Sequence, residues 1–236
     1  MKPVFIMTEN VRNFVGLMQD VESRIGHDSL AEVRGRAGRG KTRTARWYAV
    51  QNHCTYVTTL RDWSSLWMYQ DILAAMGIRR ENIPRRKKAA FEKIVSLATE
   101  QRRPFILDEA DLLGSRLLES VRDLCKVSSV PWVLIGEESL SGLMERDRRV
   151  WSRRCASLEF RPMQITDIVG FAAKGAELKL SPQNADTIQR ATDGDIRLVE
   201  LVLTKCAMLA RANPASEISA ELVTKAIATV IPESRR

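Results

Sequence analysis

The chain holds 236 residues, 37 of them basic and 29 acidic, for a formal charge of +8. That length supports one larger domain with a small appendage and a real core, and the basic excess suits a polyanionic partner without setting a sequence preference. No run of ~18 apolar residues occurs, and residues 1–10 carry charges in place of a long apolar stretch. The reading therefore excludes a signal peptide and a membrane span and expects a cytoplasmic protein. Cys54, Cys125, Cys155 and Cys206 lie far apart, and His27 and His53 add no zinc spacing; the cysteines read as reduced core residues.

Apolar positions at Val11, Phe14, Val15, Met18, Val21 and Ile25 predict a helix over 8–25, with Thr8 or Asn10 as N-cap and Gly26 as stop. A short apolar run, Leu30 to Val33, predicts the first strand. Immediately after it, Gly35-Arg36-Ala37-Gly38-Arg39-Gly40-Lys41-Thr42 matches G-x-x-x-x-G-K-[ST] at every fixed position. The glycines let such a loop curl around a phosphate with its N–H groups inward, and the start of the next helix adds partial positive charge. Lys41 is expected to reach the β and γ phosphates of ATP, and Thr42 to ligate Mg²⁺. Gly35, Gly38, Arg39, Gly40 and Arg43 complete the expected nucleotide contacts.

Helix is predicted over 41–52, a β-branched second strand over 55–60, and helix again over 64–76, ended by Gly77. Between Arg79 and Lys88 six of ten residues are basic and one is acidic, and Pro84 predicts the start of a helix running to about Thr99. Arg79, Arg80, Arg85, Arg86, Lys87 and Lys88, with Arg61 nearby, are the expected contacts to a polyanionic partner such as the backbone of DNA. They would act through phosphate charge and therefore without sequence preference; a solvated turn is the plain alternative. Trp63 and Trp67, at helical spacing, read as packed in a helix interface.

Pro104 to Glu109 predicts a strand that ends in two carboxylates, at the edge where parallel sheets bind ligands. Asp108 is expected to hold the Mg²⁺ shell and Glu109 to polarise the attacking water, although Asp108 and Asp111 are also good helix caps. Strands are predicted over 131–136 and 157–160. Between them the segment Leu143 to Arg154 carries Arg146, Arg148, Arg149, Arg153 and Arg154. From Gln164 onward only helical patterns remain, near 164–176, 182–192, 196–211 and 220–230. The expected division is an α/β nucleotide-binding domain over 1–161 and a helical lid over 162–236, with 231–236 a frayed end.

Glycine loop, Asp108-Glu109, the arginine cluster and the helical lid together resemble the AAA+ ATPases over nearly the whole chain. The resemblance implies a P-loop fold with a five-stranded parallel sheet flanked by helices and a small all-helical lid. It makes Arg153, after Ser152, the first choice for an arginine finger and Arg154 the second. Arg197 in Gly194-Asp195-Ile196-Arg197 becomes the sensor 2 residue that touches the γ phosphate. Gly136-Glu137 falls at sensor 1, where a neutral polar residue is usual. Within the superfamily the layout looks most like the Mu B-type ATPases that select target DNA for transposases. That likeness implies ATP-dependent rings or helical filaments of this chain on double-stranded DNA, presented to a transposase in the cytoplasm of a bacterial host if a phage or transposon encodes it. A replication initiator or helicase loader shares every nucleotide-site residue and is the rival, followed by a nucleotide-gated scaffold with little hydrolysis. Asp108-Glu109-Ala110-Asp111 also spells the DEAD-box helicase motif, but those enzymes need two lobes of ~150 to 200 residues each.

Overall fold

The computed structural model describes residues 5–27, 29–212 and 218–231, which form two compact units. Of these residues, the larger unit comprises 13–27, 29–36 and 41–160, and the smaller comprises 5–12, 37–40, 161–212 and 218–231. The tail beyond residue 231, read from sequence as frayed, lies outside the described residues.

In the larger unit five strands run parallel: β1 (Leu30–Arg34), β2 (Thr55–Thr58), β3 (Phe105–Asp108), β4 (Trp132–Ile135) and β5 (Arg154–Glu159). Their order across the sheet is β2-β3-β4-β1-β5. Parallel pairing needs crossovers, and the sequence supplies them as α2 (Lys41–Asn52), α3 (Ser65–Ala75), α4 (Lys87–Gln101), α5 (Ser115–Ser128), α6 (Ser139–Glu145) and α7 (Arg148–Trp151). Successive strand residues face opposite sides, and the core follows that period. Ala31, Val33, Ile106, Val133 and Ile135 pack with α2 and with Phe14, Met18 and Val21 of α1 (Glu9–Glu22). Leu30, Phe105, Leu107, Trp132 and Leu134 face the other way, onto α3, α4 and α5. There the rings of Phe105 and Trp132, paired in register, stack with centroids 4.2 Å apart.

Several boundaries differ from the sequence reading: α1 ends at Glu22 where 25 was expected and β2 at Thr58 where 60 was expected, and two further shifts concern candidate site residues. Helix α4 begins at Lys87, after Pro84. A 3-10 turn (Arg80–Asn82) comes first, the Pro84 carbonyl accepts from Gln70 Nε2 at 3.3 Å, and Arg86 stays extended at ψ 133°. Strand β5 begins at Arg154 and so takes in the second finger candidate. The pairing extends that far because Leu30 N donates to Arg153 O at 2.9 Å and because Arg154 has a partner in the sheet.

That partner is Glu32, a fully buried carboxylate inside the run read as apolar. Glu32 Oε2 accepts from Arg154 Nη1 at 2.9 Å and from Ser157 Oγ at 3.2 Å, while Oε1 accepts from Ser141 Oγ on α6. Arg34 Nη1 stands 3.6 Å away, and the Arg154 guanidinium stacks 3.7 Å from the centre of the Trp151 ring. A buried charge is tolerated only when paired and hydrogen-bonded, and here β5, α6 and β1 itself contribute to that pairing.

The smaller unit is helical: α8 (Ile165–Phe171), which passes into a π turn over Ala172–Ala176, then α9 (Pro182–Thr192), α10 (Ile196–Ala212) and α11 (Ala220–Val230). Ser181 and Ser219 cap α9 and α11, accepting from Asn184 N at 3.2 Å and Leu222 N at 3.3 Å. Ile168, Phe171, Ile188, Val199, Val202, Leu203, Val223 and Ala226 make its core. Residues 5–12, assigned from sequence to the α/β domain, group here because Asn10 clamps Arg161. Arg161 N donates to Asn10 Oδ1 at 3.0 Å and Asn10 Nδ2 to Arg161 O at 2.7 Å. Of the two candidate N-caps of α1, Thr8 takes the role, accepting from Val11 N at 3.3 Å.

Removing one partner of a buried, hydrogen-bonded ion pair strands the other. Glu32→Ala should therefore lower unfolding stability by about 3–5 kcal/mol, and adding Arg154→Leu should recover part of the loss. Urea denaturation of the two variants checks both signs.

Candidate nucleotide-binding site

The sheet order decides what meets at its carboxyl edge. Strand β4 lies between β1 and β3, so the segment after β4 falls between the glycine loop that leaves β1 and the carboxylates that end β3. Lys41, the first residue of α2, reaches back along the loop and donates from Nζ to Gly35 O and, at 3.0 Å, to Arg36 O. Burial lowers its pKa, and the negative charges of Glu137, Asp108, Asp111 and Glu109, in that order, oppose the shift. One ammonium thus stands in the field of four carboxylates.

Each carboxylate has a distinct seat. Asp108 is 2% exposed; its Oδ1 accepts from Glu109 N at 3.0 Å and its Oδ2 from the Tyr56 hydroxyl at 2.6 Å. Glu109 adopts a left-handed conformation, φ 58°, which for a non-glycine residue costs about 1–2 kcal/mol. The kink ends β3 and leaves the Glu109 side chain exposed. Burial, then the charges of Asp108 and Asp111, hold its pKa above the ordinary value. Asp111 turns toward β4, and its Oδ1 accepts from Glu137 N at 3.0 Å. A Cβ on Gly136 would fall 2.5 Å from that same oxygen, so the close approach requires glycine. By sequence Asp111 is a good cap type, the plain alternative to a catalytic strand end; in the fold its partner is the backbone amide of Glu137, 26 residues away in sequence.

Thr42 and Asp108 suit Mg²⁺ in one respect: both offer hard oxygen donors. Among the described residues no group of three or more His, Cys, Asp and Glu is placed to hold a metal ion. A divalent cation here would draw most of its ligands from phosphate oxygens and water, which is how Mg²⁺ usually binds beside nucleotides.

Residues 37–40 of the loop belong to the smaller unit, and the contacts explain why. Ile196 N donates to Gly38 O at 2.9 Å. Arg39, 5% exposed, donates through Nη1 to Asp193 O and through Nη2 to Asp193 Oδ2 at 2.7 Å. Gly38 has φ +80°, and any Cβ there would run into the Asp195 carboxylate. Asp195 in turn caps α10, accepting from Arg197 N at 2.8 Å, and pairs with the Arg197 guanidinium at 3.1 Å. Burial works against its ionisation, yet those bonds hold its pKa below the ordinary value. Arg39, read from sequence as added charge for the phosphate, is thus engaged by Asp193; Arg197 keeps 68% of its side chain exposed. Arg43 is exposed on α2.

The arginine cluster sorts by burial. Arg154 is tied to Glu32 and Trp151 within its own chain, which argues against the finger role the sequence gave it. Arg153 is half-buried and donates from Nη1 to Arg149 O at 2.8 Å; Arg149 pairs with Glu119 at 2.8 Å. Arg146 and Arg148 are exposed and form no ion pair among the described residues.

Arg79, Arg80, Arg85, Arg86, Lys87 and Lys88 are all exposed, and of their side chains only Lys88 has an acidic partner among the described residues, Glu92 at 3.7 Å. Lys87 also lines an open hollow of about 490 Å³ together with Arg61, Ser64, Gly114 and Arg116, at the first turns of α3, α4 and α5. Arg116 was not singled out from sequence, because nothing local links it to a basic run some thirty residues earlier. Trp63 is buried and donates from Nε1 to Asp71 at 2.9 Å, as a packed tryptophan should, whereas Trp67 is 45% exposed.

A family model described as AAA domain matches residues 24–144, just over half of the chain. No curated protein matches the sequence. Among solved structures the chain is similar to the ORC2 protein of Aeropyrum pernix in ADPNP–ADP complexes, with a TM-score of 0.68 and 17% identity over 96% of this chain and 70% of that one. It is also similar to Aeropyrum pernix ORC1 in complex with DNA (TM-score 0.64, 21% identity, 95% and 66% covered). A further likeness is to the RuvB Holliday junction branch migration motor of Thermotoga maritima (TM-score 0.61, 18% identity, 94% and 68% covered). Similarity at such identities is similarity of fold, and the fold is that of a AAA+ P-loop NTPase, a five-stranded parallel sheet with flanking helices and further helices at the C-terminal side. The glycine loop, Asp108-Glu109 and Gly136-Glu137 all lie inside the matched segment, and the chain belongs to the AAA domain family.

Proposed function

We propose that the protein is a Mg²⁺-dependent ATPase that assembles on double-stranded DNA without sequence preference. The observation that carries this reading is the placement of Lys41 beside the glycine loop and among Glu137, Asp108, Asp111 and Glu109. A cation so surrounded is held ready for a polyphosphate, whose negative charge it can exchange for that of the carboxylates.

In this reading Gly35, Gly38, Gly40 and Lys41 cradle the β and γ phosphates, and Thr42 and Asp108 hold Mg²⁺, which when bound neutralises charge on the phosphate oxygens. Glu109 orients the attacking water and accepts its proton, and Glu137, at the sensor 1 position, faces the same group. Arg197 reads the γ phosphate. A neighbouring copy completes the site with an arginine; Arg153 remains the first choice, and the exposed Arg146 and Arg148 join it as candidates in place of Arg154.

The exposed cations of 79–88, with Arg61, supply the DNA contacts by charge. At the finer level, assembly on DNA would present target DNA to a transposase in a bacterial cytoplasm, the reading suggested by the resemblance to Mu B-type ATPases. A second reading, replication initiation or helicase loading, is favoured by the likeness of fold to ORC1, a protein solved in complex with DNA.

Lys41→Ala should abolish ATP binding in calorimetry, whereas Glu109→Gln should bind ATP normally and lose turnover by about 10²- to 10⁴-fold. Arg153→Ala is expected to bind ATP yet lose about 10³- to 10⁵-fold in turnover of the assembled protein; full activity would pass the finger role to Arg146 or Arg148. Replacing Arg85, Arg86, Lys87 and Lys88 by alanine should flatten the plot of log affinity against log salt by about 0.9 for each phosphate no longer neutralised. An unchanged slope would remove this run from the DNA interface. Electron microscopy with double-stranded DNA and a non-hydrolysable ATP analogue separates the finer readings: continuous filaments support target selection, and discrete rings support loading.

A further inference from the structure

The sequence reading gave Tyr56 and Arg46 no role, yet the structure connects both to Asp108, a buried carboxylate of the nucleotide edge. Strand β2 pairs with β3 so that Thr58 lies beside Asp108 and Tyr56 beside Ile106. Residues two apart share a face, so the Tyr56 ring runs along the side of the sheet that Asp108 occupies. Its hydroxyl donates to Asp108 Oδ2 at 2.6 Å. The phenol oxygen itself accepts from Arg46 Nε at 3.1 Å and lies 3.4 Å from Thr58 Oγ1, and the Arg46 guanidinium stands 5.5 Å from the centre of the ring. A chain of donors therefore leads from an exposed arginine on α2, through a phenol, to the carboxylate.

Asp108 offers about four acceptor positions. Tyr56 takes one on Oδ2, and the amide of Glu109 takes one on Oδ1. Those two bonds, on different oxygens, fix the plane of the carboxylate and leave the remaining positions for other donors or a cation. Asp108 is 2% exposed, so water is poorly placed to substitute for a lost phenol. Because Tyr56 accepts from two groups, its own proton is directed to Asp108; the orientation of the hydroxyl is set by Arg46 and Thr58.

We infer that Tyr56 is a positioning residue for the cation-holding carboxylate, and that Arg46 sets the phenol's direction from the surface of α2. The inference rests on the proposed Mg²⁺–nucleotide site and adds to it a group outside the motifs. Groups of this kind, which orient a metal ligand without touching the metal, typically change metal affinity by about 10- to 100-fold when removed.

The test is nucleotide binding as a function of Mg²⁺, read by fluorescence of a labelled ATP analogue, with a second series in EDTA. Tyr56→Phe keeps the ring and removes only the hydroxyl. It should raise the Mg²⁺ concentration at half-effect by about 10-fold or more while leaving affinity in EDTA unchanged. Arg46→Met should move the Mg²⁺ midpoint in the same direction by less. Tyr56→Phe combined with Arg46→Met should equal Tyr56→Phe alone, since the arginine acts through the phenol. A merely structural tyrosine would change both series together or neither, and either result overturns the inference. If the wild-type protein binds the nucleotide but Tyr56→Phe leaves the Mg²⁺ midpoint where it was, the positioning role falls and the ATPase reading stands. If the wild-type protein binds no nucleotide in either series, both fall. Thermal unfolding of each variant confirms that the protein measured is folded.

Discussion

Everything at the nucleotide edge depends on the electrostatic position of Lys41. Its ammonium is partly buried, anchored on the carbonyls of Gly35 and Arg36, and balanced by four acidic side chains from two segments, 108–111 and Glu137. A lone cation taken that far from water would tend to lose its proton; the carboxylates oppose this. Such a balance is useful because it is exchangeable. In the proposed function, an incoming phosphate would compete for the same ammonium, and the acids it would displace include those proposed to hold the cation and the water.

The parallel sheet makes this arrangement possible, since its carboxyl edge collects the ends of strands that are distant in sequence. Placing β4 between β1 and β3 brings Gly136-Glu137 between the loop and Asp108-Glu109. Asp111 then couples the last two segments through a single bond to the Glu137 amide. In the middle of the loop, Arg39 and Gly38 are taken up by Asp193, Asp195 and Ile196. The phosphate-binding loop is thus a segment whose first two residues, with Lys41 and Thr42, belong to the larger unit and whose middle belongs to the helical one.

Charge is handled differently in the core. Glu32 is a fully buried carboxylate on a central strand, and its pairing with Arg154, Ser141 and Ser157 spans β1, α6 and β5. Apolar residues of equal volume would often be as stable or more so. What the ion pair does here is hold β5 in register against β1, and it withdraws an arginine from the surface that the finger role would need.

Element types, the glycine loop, the carboxylate strand end and the helical character of the described residues beyond Gln164 were readable from the chain, because each rests on local rules of periodicity, capping and loop chemistry. Helices 41–52, 182–192 and 220–230 were placed to the residue on those grounds. Local rules could not reveal partners that only the fold brings together. Glu32 hid within an apolar run because its cation lies 122 residues away. Asp111 offered only a possible cap until the segment after β4 supplied the Glu137 amide for it, Arg39 read as a phosphate contact until Asp193 claimed it, and Tyr56 read as an ordinary strand residue until β3 set Asp108 beside it. Sequence by itself determined which groups can bind a phosphate or a cation, since that is a property of side chains and short loops. Only the tertiary structure decided which of them are engaged elsewhere in the chain, because a hydrogen bond between distant residues exists only after strand order and register have been set.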